Sequence, residues 1–403
     1  MKRLIIIGAG AAGLFAAVEA SKMGYEILIL EKNDRAGKKL LATGNGRCNY
    51  TNENIDIKRY HGENPKFAFS AIKRFGYEEA VEYFENLGIM TKILSKGRAY
   101  PRSLQSRSIL DVLLIAIRDK AKIVFNAEII EIKKERDIFK VKSSDGKIYE
   151  SEKLIIATGG NSYKNTGSDG SGYYLAKALG HEIVEIGPGI VQIRLKGKEF
   201  KKLSGVRFDA ALYLYEGRKE IHRDLDEILF TDYGISGPAV LQLSRRAIDI
   251  INRGKSALFS IDLFPEFSND ELAIIFSTKF ALAYDLSILE ALIGCINYKL
   301  ISSSLSGIDL DKKATDLNYE EINLLCNRLK NWKFEIEGYK DLDSAQVTTG
   351  GISTEHINPK NMESKIIEDL YFAGEIIDID GDCGGFNLHW AWASAYSAVN
   401  GLR

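Results

Sequence analysis

Cysteine is scarce in this chain, and the few cysteines follow no pattern that binds metal or builds a disulfide framework. The four are Cys48, Cys295, Cys326 and Cys383, and no two of them form a CxxC pair. Zinc sites and disulfide-stapled secreted domains need closely and regularly spaced cysteines. No cluster of carboxylates with histidine suggests another metal either. We therefore expect no metal centre and a reducing, cytoplasmic location.

Net charge and long apolar runs are also nearly absent. The 54 Lys and Arg residues are balanced by 55 Asp and Glu residues, which gives a formal charge of −1. This balance offers no electrostatic reason to expect nucleic acid or an acidic membrane as a partner. No apolar run reaches the roughly 18 residues of a transmembrane helix. The expected partner is a small-molecule substrate, with no nucleic acid and no membrane.

Glycine, by contrast, is plentiful, with 36 residues against 6 prolines, and its first cluster follows an apolar run at the start of the chain. Residues 4–7 predict a buried strand, and residues 14–23 predict a helix that ends at Gly24. A second strand is predicted over residues 26–30 and is followed by Glu31. Strand, glycine turn, helix, strand and acid follow one another in the order that a dinucleotide-binding fingerprint requires.

Each glycine of this turn has a physical role in the fingerprint. Gly8 permits the tight turn after the strand, and Gly10 leaves room for a pyrophosphate to approach the backbone. Gly13 lets the helix pack closely against the sheet. The free N–H groups at the start of the helix favour phosphate, and Glu31 lies where a carboxylate accepts hydrogen bonds from ribose hydroxyls.

Three later segments share the glycine-rich character of the first. Residues 32–49 form a long basic segment that we interpret as a clasp around phosphates, with a solvated basic loop as the alternative. A predicted buried strand over residues 154–157 ends in Thr158, Gly159 and Gly160. Near the end, the strand before Gly374 and Glu375 is followed by a glycine-rich turn and a predicted helix over residues 388–400.

The middle of the chain has a different character and no nucleotide fingerprint. Strands are expected over residues 190–265 and a helical part over residues 266–330. We therefore predict a split nucleotide-binding domain, residues 1–189 with 345–403, and an inserted substrate domain, residues 190–344. The overall expectation is an α/β protein.

Five further motifs resemble one protein family. They are KKLLATGNGRCN at residues 38–49, GRAYP at 97–101, LFTDYGISGP at 229–238, VTTGGI at 347–352 and GGFNL at 384–388. Together with the first turn, these motifs resemble the HI0933-like family of NAD(P)/FAD-dependent oxidoreductases, which includes aminoacetone oxidases and BaiN-like reductases. The resemblance runs along the whole chain. It implies a glutathione-reductase-type Rossmann FAD-binding domain, discontinuous, with an inserted β-barrel-like domain and a small helical bundle.

The resemblance also implies which residues hold non-covalent FAD. Those at the pyrophosphate, ribose and adenine are expected to be Gly8, Gly10, Ala11, Ala12, Gly13, Glu31, Lys32, Gly37, Lys38, Lys39, Glu128 and Ile129. Those toward the ribityl chain and the flavin ring are expected to be Thr43, Gly44, Asn45, Gly46, Asn49, Thr158, Gly159, Gly374, Glu375, Asp378, Gly385, Asn387 and Leu388.

Catalytic side chains are difficult to identify, because FAD itself carries the redox chemistry. Tyr100 with Arg98 is our candidate for the substrate side, and a structural turn is the alternative. His389 is a candidate proton donor, with a packed helix residue as the alternative. A redox pair of Cys48 and Cys383 is a weaker hypothesis than two small residues in tight loops.

The sequence leaves the type of reaction open. Only one dinucleotide fingerprint is present, so no permanent NAD(P)H domain is predicted. Either NAD(P)H visits transiently and the enzyme reduces an activated double bond, or oxygen accepts the electrons of an amine oxidase of the aminoacetone type. A flavin-dependent RNA-modifying enzyme or a non-catalytic flavin-binding sensor would also fit the sequence.

Overall fold

A computed structural model describes residues 2–403 of the chain, and the chain divides into two compact units. The first unit is Met1–Gly189 together with Leu342–Arg403, and the second is Ile190–Asp341. The chain therefore leaves the first unit after residue 189 and returns to it at residue 342.

The strands, in chain order, are β1 (Arg3–Ile7), β2 (Glu26–Leu30), β3 (Thr51–Asn52), β4 (Tyr60–His61), β5 (Thr91–Leu94), β6 (Arg98–Pro101), β7 (Ala121–Val124), β8 (Ile129–Glu135), β9 (Ile138–Ser143), β10 (Ile148–Ser151), β11 (Lys153–Ile156), β12 (Ile183–Pro188), β13 (Ile193–Leu195), β14 (Arg207–Glu216), β15 (Lys219–Thr231), β16 (Gly234–Ser236), β17 (Ala257–Asp262), β18 (Trp332–Tyr339), β19 (Thr348–Ile352), β20 (Leu370–Phe372) and β21 (Asp380–Gly381).

The α-helices, in chain order, are α1 (Ala11–Ser21), α2 (Lys38–Gly46), α3 (Phe69–Arg74), α4 (Tyr77–Asn86), α5 (Ser106–Ile117), α6 (Ser171–Ala178), α7 (Phe200–Leu203), α8 (Pro238–Asn252), α9 (Asn269–Ala281), α10 (Ile288–Leu292), α11 (Tyr298–Ser304), α12 (Tyr319–Lys330) and α13 (Phe386–Gly401).

The first unit is organised around a parallel sheet of five strands in the order β20-β11-β1-β2-β7. Residues 4–7 of its central strand are all buried, as a strand covered on both faces requires. Helix α1 packs against α13, and the rings of Phe15 and Trp392 lie 5.7 Å apart where these two helices meet. The predicted strand–turn–helix–strand at the start is confirmed.

Smaller antiparallel sheets complete this unit. Strands β8, β9 and β10, which follow one another in the chain, form an antiparallel sheet of three strands. A second sheet of three strands has the order β3-β6-β5, and two-stranded sheets join β12 with β19 and β21 with β4. The β21–β4 pair places Asp380 opposite His61, and it therefore holds the segment before α13 against an early part of the chain.

The second unit is a closed antiparallel barrel with strand order β13-β16-β15-β14-β17-β18. The β-barrel-like part that the resemblance implied is thus present. One strand was missing from the sequence-based prediction: β18 follows the helical part and closes the barrel by pairing with β13 and β17. Its inward residues Trp332 and Phe334 alternate with exposed ones, a period of two that marks a half-buried strand.

Helices α9 to α12 are inserted between the last two barrel strands. Three of them begin with a capping box, in which Ser268, Ser287 or Asn318 accepts a hydrogen bond from the backbone of a glutamate three residues later. Helix α8 follows β16 and has Gly237 as its N-cap and Pro238 at its first position. Among residues 2–403, no helix combines the length and the apolar character that a membrane span needs.

Candidate functional site

The turn between β1 and α1 can be built only with glycine at two of its positions. Gly8 has a φ of 104°, and a Cβ there would lie 2.5 Å from the carbonyl oxygen of Ala157. A Cβ at Gly13 would overlap the carbonyl oxygen of Gly8. Gly10 differs, because a Cβ there would meet no atom within 4 Å. The turn is therefore packed against backbone at Gly8 and Gly13 and has open space in front of Gly10. In dinucleotide-binding folds the pyrophosphate lies at this position.

Glu31 directly follows β2 and lies beside this turn. One carboxylate oxygen accepts a hydrogen bond from the backbone N–H of Ala9 at 2.7 Å. The other accepts from the backbone and side-chain nitrogens of Asn33 at 2.8 and 2.7 Å. The carboxylate is mostly buried and is fixed in place by these bonds. Since a carboxylate offers about four acceptor sites, it retains capacity for a ribose hydroxyl.

The adenine side was predicted at Glu128 and Ile129. The backbone N–H of Ala127 donates to the carbonyl of Glu31 at 2.9 Å, so this segment does run beside the predicted ribose ligand. Glu128 is exposed, and its carbonyl accepts from Ser144. Ile129 is a core residue. The contact with adenine remains a prediction.

The basic clasp contains a helix, which the sequence analysis did not predict. Gly37 is the N-cap of α2 with a φ of 70°, and its N–H donates to the carbonyl of Ala9 in the glycine turn. Lys32 and Lys38, expected at the cofactor, are instead paired with Asp169 at 2.5 Å and Asp34 at 2.7 Å. They position the clasp, and any contact with the cofactor would be made in addition to these pairs.

Lys39 and Glu375 form an ion pair that joins the clasp to the late segment. The ammonium lies 2.7 Å from Glu375 Oε2 and 2.8 Å from the hydroxyl of Ser162. Glu375 Oε1 accepts from the backbone N–H of Thr348 at 2.8 Å. Burial alone raises the pKa of Glu375, but Lys39 and these hydrogen bonds outweigh it and hold the pKa below its usual value. Glu375 is therefore an anion within reach of Gly159.

Sequence reasoning missed the polar residues that support this ion pair. Ser162 and Thr348 are buried and bond to each other as well as to Glu375. Ser168 also lies near Lys39 and Gly159. The available signal was their position, because Thr348 belongs to the VTTGGI motif and both serines follow Gly159 and Gly160.

The loop at the end of α2 has an irregular backbone. Gly44, Asn45, Gly46 and Cys48 all have positive φ angles, and Asn45 and Cys48 are not glycine. The ring of Tyr100 lies beside Gly44, and the Arg47 guanidinium lies 5.5 Å from the centre of that ring. The structure thus brings the predicted flavin-side residues 43–46 together with Tyr100.

The start of α13 forms the other side of this region. Gly385 is the N-cap with a φ of 101°, and a Cβ there would lie 2.8 Å from Asn49 Oδ1. The side chain of Asn387 bonds to both backbone groups of Gly381 at 2.8 Å. The side-chain amide of Asn387 therefore fixes the loop. The groups that remain available to a ligand are the backbone N–H groups of Asn387 and Leu388. Asp378 is buried and accepts from the backbone of Glu63.

His389 is a core residue, which corrects its interpretation as a proton donor. Its side chain is fully buried, and its Nε2 lies 2.9 Å from the carbonyl of Phe75. The Nδ1 atom lies 2.9 Å from the hydroxyl of Thr51. Nε2 must carry the proton, because a carbonyl only accepts, and both nitrogens are then satisfied within the protein. Burial lowers the pKa of His389 to about 4.

The cysteine hypothesis also loses support. Cys48 is fully buried, and burial raises the pKa of its thiol to about 12. A protonated, enclosed thiol is a poor redox group. Among residues 2–403, no three His, Cys, Asp or Glu side chains are grouped in a way that could hold a metal ion.

The residues of this region fit FAD. The N-terminus of α1 has no side-chain cap and no acid in its first turn, so its N–H groups favour a phosphate. Thr158 Oγ1 and Asn49 Oδ1 are buried without a hydrogen-bond partner in the described chain, and a bound polar ligand is one way to satisfy such atoms. Glu31, the predicted ribose acceptor, lies beside the same turn and keeps acceptor capacity.

Two glycine variants should separate folding from cofactor binding. Gly10→Ala should leave the thermal stability of the FAD-free protein unchanged, since its Cβ meets open space, but should weaken FAD binding by at least about tenfold. Gly13→Ala should lower the free energy of unfolding by about 1–3 kcal/mol or more, because its Cβ overlaps the backbone. Calorimetry and FAD titration measure both effects. If both variants changed stability and FAD affinity to the same extent, the assignment of Gly10 to the pyrophosphate and of Gly13 to helix packing would be wrong.

The buried His389 predicts a pH dependence of stability. Its pKa of about 4 in the folded protein lies below its ordinary value of 6.5, so the unfolded chain binds the proton first as the pH falls. The stability that depends on the neutral imidazole of His389 is fully present above pH 6.5 and is lost as the pH falls from 6.5 to about 4. The loss in the free energy of unfolding is up to about 3 kcal/mol. Urea denaturation should show a smaller loss for His389→Gln over this range. If the free energy of unfolding changed equally with pH in both proteins, His389 would not contribute to the pH dependence.

Comparison with known proteins agrees with this geometry. Residues 2–401 match the family model described as HI0933-like protein Rossmann domain. The chain is 38% identical over 403 residues to a 3-dehydro-bile acid delta(4,6)-reductase of Clostridium scindens, covering 99% of this chain and 98% of that protein. It is 30% identical over 405 residues to a ribosomal RNA dihydrouridine synthase of Escherichia coli, covering 99% and 97%.

Among solved structures, the chain resembles a 3-ketosteroid-delta4-(5alpha)-dehydrogenase from Rhodococcus jostii, with a TM-score of 0.47, 14% identity and coverage of 99% of this chain and 97% of that one. The family model spans nearly the whole chain, and the fingerprint that it contains is the turn described above. The chain therefore belongs to the HI0933-like family, and it is an FAD-dependent oxidoreductase with a Rossmann-type fold.

Proposed function

We propose that this protein reduces a carbon–carbon double bond conjugated to a carbonyl group in a small molecule, with NAD(P)H as a transient electron donor. The observation that carries the proposal is that two relatives are named for reactions of the same kind. A delta(4,6)-reductase of a 3-dehydro-bile acid and a dihydrouridine synthase both saturate such a bond. The substrates differ in size and charge, but the bond that reacts is of one kind.

The reaction adds a hydride to the β-carbon and a proton to the α-carbon, while NAD(P)H is oxidised to NAD(P)+. The chemistry that bound FAD supplies is two-electron transfer between donor and substrate. The protein must supply the proton and must position the double bond of the substrate between the flavin and the proton donor. Nicotinamide has no second fingerprint to hold it permanently, which supports a donor that binds and leaves.

Tyr100 is the side chain best suited to supply the proton. It is mostly buried, and its hydroxyl has no hydrogen-bond partner within residues 2–403. Burial raises the pKa of Tyr100, although the Arg47 and Arg98 guanidinium groups oppose this. The phenol therefore carries its proton at neutral pH, and the two cations stabilise the phenolate that remains after transfer.

Ribosomal RNA is a second candidate substrate, since the dihydrouridine synthase relative matches along its full length. This match weakens the expectation that no nucleic acid is bound. Within the second unit, Lys198, Lys201 and Lys202 are exposed and have no carboxylate within ion-pair distance. They offer a small cationic surface for a phosphate backbone. The balanced charge of the whole chain still favours a small molecule.

Anaerobic stopped-flow mixing tests the proposed function. NADH or NADPH should bleach the visible flavin absorbance, and a steroid with a 3-oxo-4-ene group should restore it with a product heavier by two hydrogens. A ribosomal RNA fragment serves as the parallel substrate. Reduction of RNA alone would select the second candidate. Bleaching by aminoacetone but by neither nicotinamide would overturn the proposal in favour of an amine oxidase.

Replacement of the proposed proton donor should slow the reductive step on substrate. Tyr100→Phe should lower kcat by about 100-fold, as loss of a general acid does, with little change in the rate of flavin reduction by NAD(P)H. Tyr174→Phe is the matched control, because Tyr174 is an exposed tyrosine of the same unit. Unchanged kcat in Tyr100→Phe would remove this residue from the mechanism.

A further inference from the structure

Arg47 lies in the loop after α2, and the function proposed above gives it only an indirect role, as one of two cations beside Tyr100. Resting on that function, we propose that Arg47 binds an anionic group, a carboxylate or a phosphate, on the substrate. The substrate would then be an organic anion that carries the reactive double bond at some distance from its charge.

The first support is that Arg47 has no acidic partner. Its guanidinium is exposed, and it makes one long hydrogen bond, from Nε to the carbonyl of Gly44 at 3.4 Å. Within residues 2–403, no carboxylate lies within ion-pair distance of it. The charge of Arg47 is therefore available to an incoming anion.

The lysines of the clasp, by contrast, are all neutralised by carboxylates. Lys32, Lys38 and Lys39 each have a carboxylate oxygen within 2.7 Å. Arg59, near the other side of the region, is paired with Asp382 at 3.3 Å. These pairs neutralise the lysines of the clasp. Within the described residues Arg35 of the clasp has no ion pair either, but Arg47 is the one that lies against the Tyr100 ring.

The second support is that Arg47 is held in place without being neutralised. Its guanidinium lies over the ring of Tyr100, 5.5 Å from the ring centre, a cation–π contact that orients the group while keeping its charge. The backbone N–H of Arg47 donates to the carbonyl of Gly44, and that of Cys48 donates to the carbonyl of Thr43. An oriented guanidinium loses less entropy when it binds a carboxylate or phosphate through two hydrogen bonds.

The third support is position. Arg47 lies between Gly46 and Asn49, both predicted to face the flavin, and directly against Tyr100, the proposed proton donor. An anion bound at Arg47 would bring the rest of the substrate past the Tyr100 hydroxyl. The charge then fixes one end of the molecule, and the double bond lies farther along it.

Kinetics with a matched pair of substrates tests the proposal. The pair is a 3-oxo-4-ene steroid with a side-chain carboxylic acid and the methyl ester of the same compound. A third compound carries a phosphate ester in place of the acid, which distinguishes carboxylate from phosphate recognition. The variants are Arg47→Gln and Arg47→Lys, and Arg118→Gln is the control, because Arg118 is exposed and unpaired in the same unit.

Arg47→Gln should raise KM for the preferred anion about tenfold and leave KM for the ester unchanged. Any fall in kcat from the loss of its charge beside Tyr100 should be equal for the acid and the ester. Arg47→Lys should fall between wild type and Arg47→Gln, since it keeps the charge but loses the paired donors. Arg118→Gln should match wild type with all three compounds. Equal KM values for acid, phosphate and ester in wild type would overturn the proposal while leaving the enone reductase intact.

Two further measurements keep the outcomes separate. The FAD content of purified Arg47→Gln should equal that of wild type, and loss of FAD would assign Arg47 to the cofactor and overturn the proposal. Calorimetry with the saturated acid, which cannot be reduced, should give weaker binding to Arg47→Gln than to wild type. This titration tests Arg47 even if neither steroid is turned over, a result that would count against the proposed function alone.

Discussion

The ion pair between Lys39 and Glu375 is the contact on which the candidate site depends. It joins residues that are far apart in the sequence, one in the clasp after the first Rossmann unit and one after the last strand of the parallel sheet. Both side chains are about four-fifths buried, so the pair is worth more than the roughly 0–1 kcal/mol of an exposed one. Breaking it would leave Glu375 with Ser162 and Thr348 but without a counter-charge.

Strand pairing and this ion pair together hold the late segment in the first unit after a large insertion. The second unit, residues 190–341, interrupts the first without disturbing the parallel sheet, because β20 pairs with β11 and β21 with β4. Sheet pairing alone would fix the late segment by its backbone. Lys39, Ser162 and Thr348 add contacts of specific geometry, so that Glu375 is held at one place beside Gly159.

Local sequence patterns were sufficient to predict the nucleotide-binding half. The glycine turn, its flanking strand and helix, and Glu31 lie within the first 31 residues, and each part is specified by nearby sequence. The barrel was harder, because β18 belongs to it but comes after four helices. Its alternation of Trp332 and Phe334 with exposed residues was present in the sequence, but no local rule says which sheet such a strand joins.

Roles that depend on distant partners could not be predicted. His389 looked like a functional residue because a histidine in an apolar helix suggests chemistry. Its partners Thr51 and Phe75 lie more than 300 residues earlier, and they make it a satisfied core residue. Arg47 shows the opposite case, since its neighbours in sequence are unremarkable for a basic loop and only the structure shows that it lacks a counter-charge.

The backbone around Arg47 supports a functional interpretation of the loop on separate grounds. Asn45 and Cys48 both have positive φ angles, and each such residue costs on the order of 1 kcal/mol. Burial of Cys48 and the hydrogen bond from its N–H to Thr43 offset part of that cost. The strained backbone presents Arg47 above Tyr100, which agrees with the role proposed for Arg47.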